Sequence, residues 1–169
     1  LSAESPLSAV TVVITAFDEA AVLPEALDHN LAVLEELPFV LVPANRSTDG
    51  TTELMQAKAD ANPNQVRVVE GTTGSKAGDL NKAWQHIETP YVLVLDADER
   101  VDAEFVRRGL AHFEQYPSLG IVQGRKVAAR AVYDAFTRFV TIERQHSTLL
   151  DHSLMDDLFN AGHFAGSAA

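Results

Sequence analysis

The chain has 169 residues, of which 46% are hydrophobic and none is cysteine, so it can bury one core but cannot form disulfides or thiolate metal sites. Its formal net charge of -11 and pI near 4.8 argue against nucleic acid or an anionic membrane as a partner of the surface as a whole. It has no run of 18 apolar residues and no signal-peptide pattern at its amino terminus, which predicts a cytoplasmic protein whose membrane association would require segments outside this chain.

Strand and helix patterns alternate along the chain. Runs of β-branched and other apolar residues predict strands, and apolar residues at spacings of three and four predict helices. In chain order, the predicted elements are a strand over 10–15, a helix over 19–36, a strand over 39–43, a helix that follows the turn and cap over 47–51 and continues to about 61, a strand over 66–69, a helix over 76–87, a strand over 91–95, a helix over 102–113, a strand over 121–126 and a helix over 129–150.

This alternation predicts the fold class. Strand-helix units of this length form α/β folds with a mainly parallel central sheet, right-handed crossovers and helices on both faces. The sequence contains no internal repeat and no low-complexity linker. We therefore expect one domain over residues 9–169, preceded by a flexible segment over residues 1–8.

The apolar run over residues 92–95 ends abruptly in three acids, Asp96, Asp98 and Glu99. Such a run predicts a strand buried on both faces, and parallel sheets bind their ligands at the carboxyl ends of the strands. On an extended backbone Asp96 and Asp98 project to the same side, where two like charges ~4 Å apart cost roughly 4 kcal/mol at an effective dielectric of ~20. A shared proton or a bound cation relieves that repulsion, and a divalent cation such as Mg²⁺ does so best, because it takes one or two carboxylates and completes its shell with water and phosphate.

Polar residues also follow the first two predicted strands, over residues 15–19 and 45–51. Helix amino termini beside them offer backbone N–H donors and positive dipole ends to a phosphate, and Lys76 and Arg125 are candidate counter-charges. A crevice that collects these three strand ends suits a polyanion bound together with a metal.

Five segments follow one another in a fixed order: Thr15-Ala16-Phe17-Asp18-Glu19, Ala44-Asn45-Arg46-Ser47-Thr48-Asp49-Gly50-Thr51, Ser75-Lys76-Ala77-Gly78-Asp79-Leu80-Asn81, Asp96-Ala97-Asp98 and Gly166-Ser167. This order resembles that of the family 2 glycosyltransferases, whose patterns are PxYNE, DDxSxDGT, GKxxALN, DxD and a GS or GT turn. The resemblance covers nearly the whole chain and implies the GT-A fold, a three-layer α/β/α arrangement. The sequence departs from the pattern at Ala44, where the family usually carries an acid that commonly contacts the base, and at Asp18, where it carries Asn.

The resemblance implies a nucleoside-diphosphate sugar as the donor, with a UDP-sugar favoured over a GDP-sugar, and Mn²⁺ or Mg²⁺ as the metal. It makes Asp98 the more direct metal ligand and places Asp96 at the ribose and the metal. It also gives the ring of Phe17 a stacking or packing role beside the base and ribose. The remaining implied nucleotide-sugar contacts are Thr15, Glu19, Asn45, Asp49, Lys76 and Ala97.

The resemblance further implies an inverting transfer, in which an acceptor hydroxyl of a polysaccharide, glycolipid or lipid phosphate attacks the anomeric carbon. The metal stabilises the departing diphosphate, and a general base takes the hydroxyl proton. In the family that base is an acid that follows the GS turn by a few tens of residues, so we expect it beyond Ala169 and assign no catalytic residue within this chain. The residues assigned to the acceptor or donor-sugar side are Gln123, Arg125, Gly166 and Ser167.

Two other classes of function stay open at this point. A catalytically silent module that binds a nucleotide sugar would fit Ala44 and a general base outside the chain. A phosphotransferase of the haloacid dehalogenase type also places DxD after an apolar strand and uses the first acid as its nucleophile. That motif lies near the start of its domain, whereas about ninety residues of α/β pattern precede Asp96 here.

Overall fold

A computed structural model describes residues 6–72, 75–124, 126, 138–139 and 142. Within these residues, four strands and four helices alternate: β1 (Val10–Ala16), α1 (Leu23–Val33), β2 (Phe39–Pro43), α2 (Thr51–Ala61), β3 (Val66–Val68), α3 (Lys76–Trp84), β4 (Tyr91–Leu95) and α4 (Ala103–Gln115). The chain divides into two compact units with a boundary after Val122, and all of these elements belong to the first unit.

The four described strands form one parallel sheet in the order β3-β2-β1-β4. β1 is central, since Val12 pairs with Phe39 of β2 on one side and with Leu93 of β4 on the other. All seven residues of β1 are buried, as expected for a β-branched run between two neighbouring strands. The predicted parallel α/β architecture is confirmed.

Helices cover both faces of the sheet. One core cluster joins Ile14 and Leu41 of the sheet to apolar residues of α1, α2 and α4, including Leu27, Met55 and Leu110. A second, smaller cluster packs Ala83 of α3 against the other face of the sheet, where Val13, Val40 and Val42 lie. This gives the three layers expected of an α/β/α fold, with the carboxyl ends of all four strands at one edge of the sheet.

The first helix begins later than the sequence pattern predicts. Residues 19–22 form a turn in which the carbonyl of Glu19 accepts from the amides of Val22 and Leu23, and Pro24 lies in the first turn of α1. Proline is favoured there because it lacks the N–H that a first turn leaves unpaired. The predicted helix start at residue 19 is therefore wrong, and the chain gains a polar turn directly after β1.

Two strand predictions also need correction. β4 lies at the end of the described sheet, so Leu93 and Leu95 are buried whereas Val92 and Val94 are only half-buried. The predicted strand over 121–126 is absent from its described residues, and Ile121 is exposed. Only two apolar residues precede Gln123 and Gly124, which is too short a run to be buried on both faces.

Other sequence-based expectations concern the ends of the chain. Leu7–Ala9 form a turn of 3-10 helix, and Leu7 packs against the larger core cluster, while the proposed domain limits stay a prediction. Most of the helix predicted over 129–150 lies outside the described residues. In the part of the chain that the structure describes, no helix is both long enough and apolar enough to cross a membrane.

Candidate functional site

A cavity of about 380 Å³ opens at the carboxyl edge of the sheet, where β1, β2 and β4 end. The sequence-predicted residues that line it come from three separate segments: Thr15, Phe17, Glu19, Lys76, Asp96, Ala97 and Asp98. The cavity is thus a meeting point of the polar segments after β1 and β4 with Lys76, and Arg46 is the residue that lines it from the predicted segment over 45–51, whereas the roles assigned to individual residues stay predictions. Parallel strands produce it directly, because every strand of the sheet ends at the same edge.

The acids after β4 lie on a turn rather than on an extended strand. The amide of Glu99 donates to the carbonyl of Asp96 at 3.1 Å, and Oε2 of Glu99 accepts from the amide of Asp96 at 2.9 Å. Asp98 is exposed, Asp96 is half-buried and Ala97 is buried. The expectation that Asp96 and Asp98 project to one side of an extended backbone is therefore wrong, because Glu99 closes the turn between them.

Lys76 forms an ion pair with Asp96 inside the cavity. Lys76 is the first residue of α3, which is capped by the side chain of Ser75 accepting from the amide of Gly78. The helix cap therefore fixes where the lysine enters the cavity. The ammonium partly neutralises Asp96 and places a positive charge, together with a helix amino terminus, where a phosphate could bind.

The surroundings of Glu19 raise the pKa of its carboxyl. Burial raises the pKa of its carboxyl above the ordinary value of 4.5, and the negative charges of Asp98, Asp49 and Asp96 raise it further. The backbone amide of Glu19 donates to Oγ1 of Thr51 at 2.9 Å, which ties the residue to the start of α2. The cavity thus concentrates negative charge that a bound cation would offset.

Asp49 organises two loops instead of lining the cavity. Its carboxylate accepts from the amide of Ala20 at 2.8 Å and from the amide of Thr51 at 3.0 Å, and also from the hydroxyl of Thr51. The hydrogen bond from the Thr51 hydroxyl is the main reason that the pKa of Asp49 lies below its ordinary value of 3.8. The loop after β1 is thereby joined to the loop after β2.

We expect Asp49→Asn to lower the free energy of unfolding at neutral pH, with a difference from the parent that shrinks in acid. A carboxyl whose folded-state pKa is lowered stabilises the fold above its unfolded pKa, near 3.8, and this contribution is lost as the pH falls through the folded-state pKa. Urea unfolding of both proteins at about pH 7 and about pH 3 measures the effect. A difference that stays constant across this range would show that Asp49 does not act through its charge.

The other predicted site residues lie elsewhere. Asn45 lines a neighbouring cavity of about 570 Å³, which shares Thr72 with the first. Gln123 belongs to the second unit of the chain. Arg125, Gly166 and Ser167 lie outside the described residues, so their assignment to the acceptor or donor-sugar side stays a prediction.

The lining residues to which the sequence analysis assigns no role include Arg46, Thr72 and Asp79. The guanidinium carbon of Arg46 lies 4.2 Å from the centre of the Phe17 ring, within cation–π range. The guanidinium therefore covers one face of the exposed ring. Asp79 is only 5% exposed and accepts from the amide and the hydroxyl of Thr72. One signal was present for Asp79, which stands where the GKxxALN pattern has alanine.

Asn30 of α1 holds the segment that follows the acid turn. It is fully buried, its Nδ2 donates to the carbonyl of Glu99 at 2.8 Å, and its Oδ1 accepts from the amide of Val101 at 3.1 Å. The ion pair between Arg100 and Glu25 of the same helix adds a further contact. Because Glu99 in turn binds the amide of Asp96, α1 supports the turn that carries Asp96 and Asp98.

Removing this support by Asn30→Ala is expected to lower the free energy of unfolding by about 2–4 kcal/mol, since it leaves the partly buried carbonyl of Glu99 and amide of Val101 without these hydrogen bonds. It should also weaken Mn²⁺ binding in the presence of nucleotide. Asn62→Ala is the matched control, because the Asn62 side chain donates to the carbonyl of Lys58 on α2, in a segment that does not line the cavity. Equal Mn²⁺ affinities in the two variants, by calorimetry well below their melting temperatures, would limit Asn30 to a structural role.

The oxygen ligands at the cavity suit a hard divalent cation. Within the described residues, no three His, Asp or Glu side chains are grouped closely enough to hold a metal by themselves. Mg²⁺ commonly binds through one or two carboxylates, with water and substrate phosphate as its other ligands. Asp96 and Asp98 both line the cavity, so they could supply carboxylates to such an ion.

A larger cavity, of about 720 Å³, lies at the opposite edge of the sheet. Its lining comes from residues at or near the amino ends of strands, such as Thr11, Phe39, Val66 and Thr89, and it contains none of the predicted site residues. Size alone therefore does not identify the functional site, since ligands of parallel sheets bind at the carboxyl ends of the strands.

Several curated proteins are similar to this chain. Poly-beta-1,6-N-acetyl-D-glucosamine synthase of Staphylococcus aureus is 28% identical over 118 residues, which cover 70% of this chain and 28% of that protein. Beta-monoglucosyldiacylglycerol synthase of Synechocystis is 28% identical over 138 residues, covering 79% of this chain and again 28% of that protein. The chain thus spans less than a third of the length of these relatives.

Solved structures show the same fold. A mannosyltransferase of Pyrobaculum calidifontis, solved with GDP-Man and Mn²⁺, matches with a TM-score of 0.53 and 28% identity over 72% of this chain and 35% of its own. Residues 1–349 of TarS from S. aureus match with a TM-score of 0.53 over 74% of this chain and 40% of that one, at 19% identity, which shows the fold alone. The sequence model for glycosyl transferase family 2 matches residues 11–166. The chain belongs to glycosyl transferase family 2.

Proposed function

We propose that this chain is the donor-binding domain of a glycosyltransferase that moves a sugar from a nucleoside diphosphate to an acceptor hydroxyl, with inversion. The observation that carries the proposal is the meeting of Lys76, Asp96 and Asp98 in one strand-end cavity of a family 2 chain. Family membership makes the haloacid dehalogenase alternative unnecessary. A cavity of this volume is within the usual range for small-ligand sites.

Each side of the proposed donor has a suitable partner in the cavity. Thr15 and Phe17 at the end of β1 suit the base and ribose, and Arg46 braces the ring of Phe17. Lys76 suits the diphosphate through its charge. Asp98, exposed at the turn after β4, is the carboxylate best placed to reach a metal carried in with the diphosphate.

Transfer would break the bond between the anomeric carbon and the diphosphate oxygen as the acceptor oxygen forms its new bond from the opposite face. A divalent metal, when bound, neutralises the charge that develops on the departing diphosphate. Lys76 and the amino end of α3 add positive charge on the same side. The acceptor's proton passes to a general base, a role that we assign to no residue of this chain.

The proposed metal is Mn²⁺ or Mg²⁺, and the structurally similar mannosyltransferase was solved with Mn²⁺ and GDP-Man. The sequence favours a UDP-sugar, whereas this neighbour supports a GDP-sugar, so both belong in the first tests. The proposed acceptor is a hydroxyl of a glycan, glycolipid or lipid phosphate, and the proposed location is the cytoplasmic side of the cell.

Calorimetric titration of UDP, GDP and their sugars, each with and without Mn²⁺ or Mg²⁺, tests the proposal. We expect at least one of these nucleotides to bind about tenfold or more tightly when the metal is present, because the metal screens the diphosphate from the acids of the cavity. Absence of metal-dependent binding for every ligand would refute a donor site. Donor binding without any sugar transfer, in a protein that contains this chain together with a general base, would favour the silent binding module.

A further inference from the structure

Asp79 is the one carboxylate among the described residues that is more than nine-tenths buried, with 5% of its surface exposed. Removing a carboxylate from water is costly unless hydrogen bonds replace its hydration. Asp79 lies in the first turn of α3 and lines the same cavity as Thr15, Phe17 and Asp98. Because Ser75 already caps α3, helix capping does not explain why an acid is buried in this wall of the cavity.

Both hydrogen bonds that the carboxylate of Asp79 accepts end on the same oxygen, Oδ1. The amide of Thr72 donates to Oδ1 at 2.5 Å, and the hydroxyl of Thr72 donates to the same oxygen at 2.9 Å. Within the described part of the chain, Oδ2 accepts no hydrogen bond. The second oxygen therefore remains an acceptor for an N–H or O–H group in the cavity.

Gly71 brings Asp79 close to the end of β2. A Cβ atom at Gly71 would lie 3.0 Å from Oδ1 of Asp79, 3.0 Å from Cα of Ala44 and 2.4 Å from the carbonyl of Pro43. Only glycine permits this approach, because any side chain would collide with the Pro43 backbone. The carboxylate of Asp79 and the backbone of Ala44 thus both lie beside Gly71.

The sequence shows an exchange at these two positions. Where the family pattern DDxSxDGT begins with an acid, this chain has Ala44, and where GKxxALN has alanine, this chain has Asp79. The geometry points to Asp79 as the carboxylate that recognises the nucleotide base, delivered from α3 instead of from the end of β2. This inference rests on the proposed function and adds the class of base.

A carboxylate oxygen accepts hydrogen bonds but cannot donate them while it is ionised. Uracil and guanine present ring N–H groups, at N3 and N1 respectively, whereas cytosine and adenine present ring nitrogens that only accept at those positions. An ionised Asp79 therefore selects uracil or guanine and rejects cytosine and adenine, because a mismatched base leaves two acceptors facing each other.

The test is calorimetric titration of UDP, GDP, CDP and ADP, and of base-free pyrophosphate, all with Mn²⁺. The parent should bind UDP or GDP about tenfold or more tightly than CDP and ADP, as expected for a hydrogen bond to a charged group. Asp79→Asn should lose this preference and bind pyrophosphate as the parent does. Asp102→Asn is the control, because it removes the same charge at the start of α4 while asparagine still caps the helix.

The exchange variant Ala44→Asp/Asp79→Ala should regain the parent's ranking of bases, since it places an acid at the position where the family pattern carries one, close to Asp79 on the other side of Gly71. A parent that binds CDP or ADP as tightly as UDP and GDP would overturn the inference, whether or not any variant folds. An unchanged ranking in Asp79→Asn would overturn it as well, and both results would leave the proposed donor site standing. Absence of Mn²⁺-dependent binding for all four nucleotides would contradict the donor site and the base assignment together.

Discussion

Asp98→Ala is expected to abolish metal-assisted nucleotide binding, with a loss larger than the roughly 10- to 100-fold that removal of an outer-shell metal partner costs. Asp98 is the exposed carboxylate of the acid turn and lines the cavity. The melting temperature should stay near that of the parent or rise, because Asp98 contributes to the raised pKa of Glu19 through like-charge repulsion. Titration with and without Mn²⁺, together with a thermal melt, measures both effects.

Glu36→Ala is the matched control for this prediction. It also removes one negative charge, but Glu36 is an exposed residue between α1 and β2 that lines none of the described cavities. We expect it to bind nucleotide and metal as the parent does. Normal metal-dependent binding by Asp98→Ala would remove Asp98 from the proposed metal site.

The second large effect is expected for Lys76→Ala, which should weaken nucleotide binding about tenfold or more while strengthening the binding of Mn²⁺ alone. The two effects have opposite signs because Lys76 offers its charge to a diphosphate but competes with a cation for Asp96. Stability should change by less than about 1 kcal/mol, since both members of the ion pair are partly exposed.

Lys82→Ala on the same helix is the control, because Lys82 lines the neighbouring cavity rather than the one that holds Asp96. It should change neither titration by more than about twofold. If Lys76→Ala weakened Mn²⁺ binding as well, the ion pair would be supporting the acid turn, and the proposed competition would be wrong.

Much of the fold could be predicted from the sequence because its signals are local. The β-branched run of β1 and the apolar residues of β2 predict buried parallel strands, and the structure confirms both. The polar segments after β1 and β4 were expected to meet for the same reason, since parallel topology brings strand ends to one edge. These inferences need only periodicity and the handedness of the crossover.

The details of the site depend on contacts between distant residues, which periodicity does not encode. Glu99 turns the chain between Asp96 and Asp98, and Asn30 supports that turn across about seventy residues of sequence. Asn30 gave no signal, because the sequence of α1 does not distinguish it from its polar neighbours Asp28 and His29. The burial of Asp79 could not be predicted for a similar reason, because it depends on Thr72 and on the close approach that Gly71 allows.

The most direct test of the proposed donor site is paramagnetic broadening by Mn²⁺ in the ¹⁵N-labelled chain with GDP or UDP bound. Broadening falls steeply with distance from the metal, so it locates the ion without assuming a ligand set. We predict selective loss of the amide signals of Thr15, Lys76 and Ala97, while those of Thr11 and Thr89 at the opposite cavity remain sharp. Broadening centred on the opposite cavity, or none that depends on the nucleotide, would contradict a metal-assisted donor site at the carboxyl edge of the sheet.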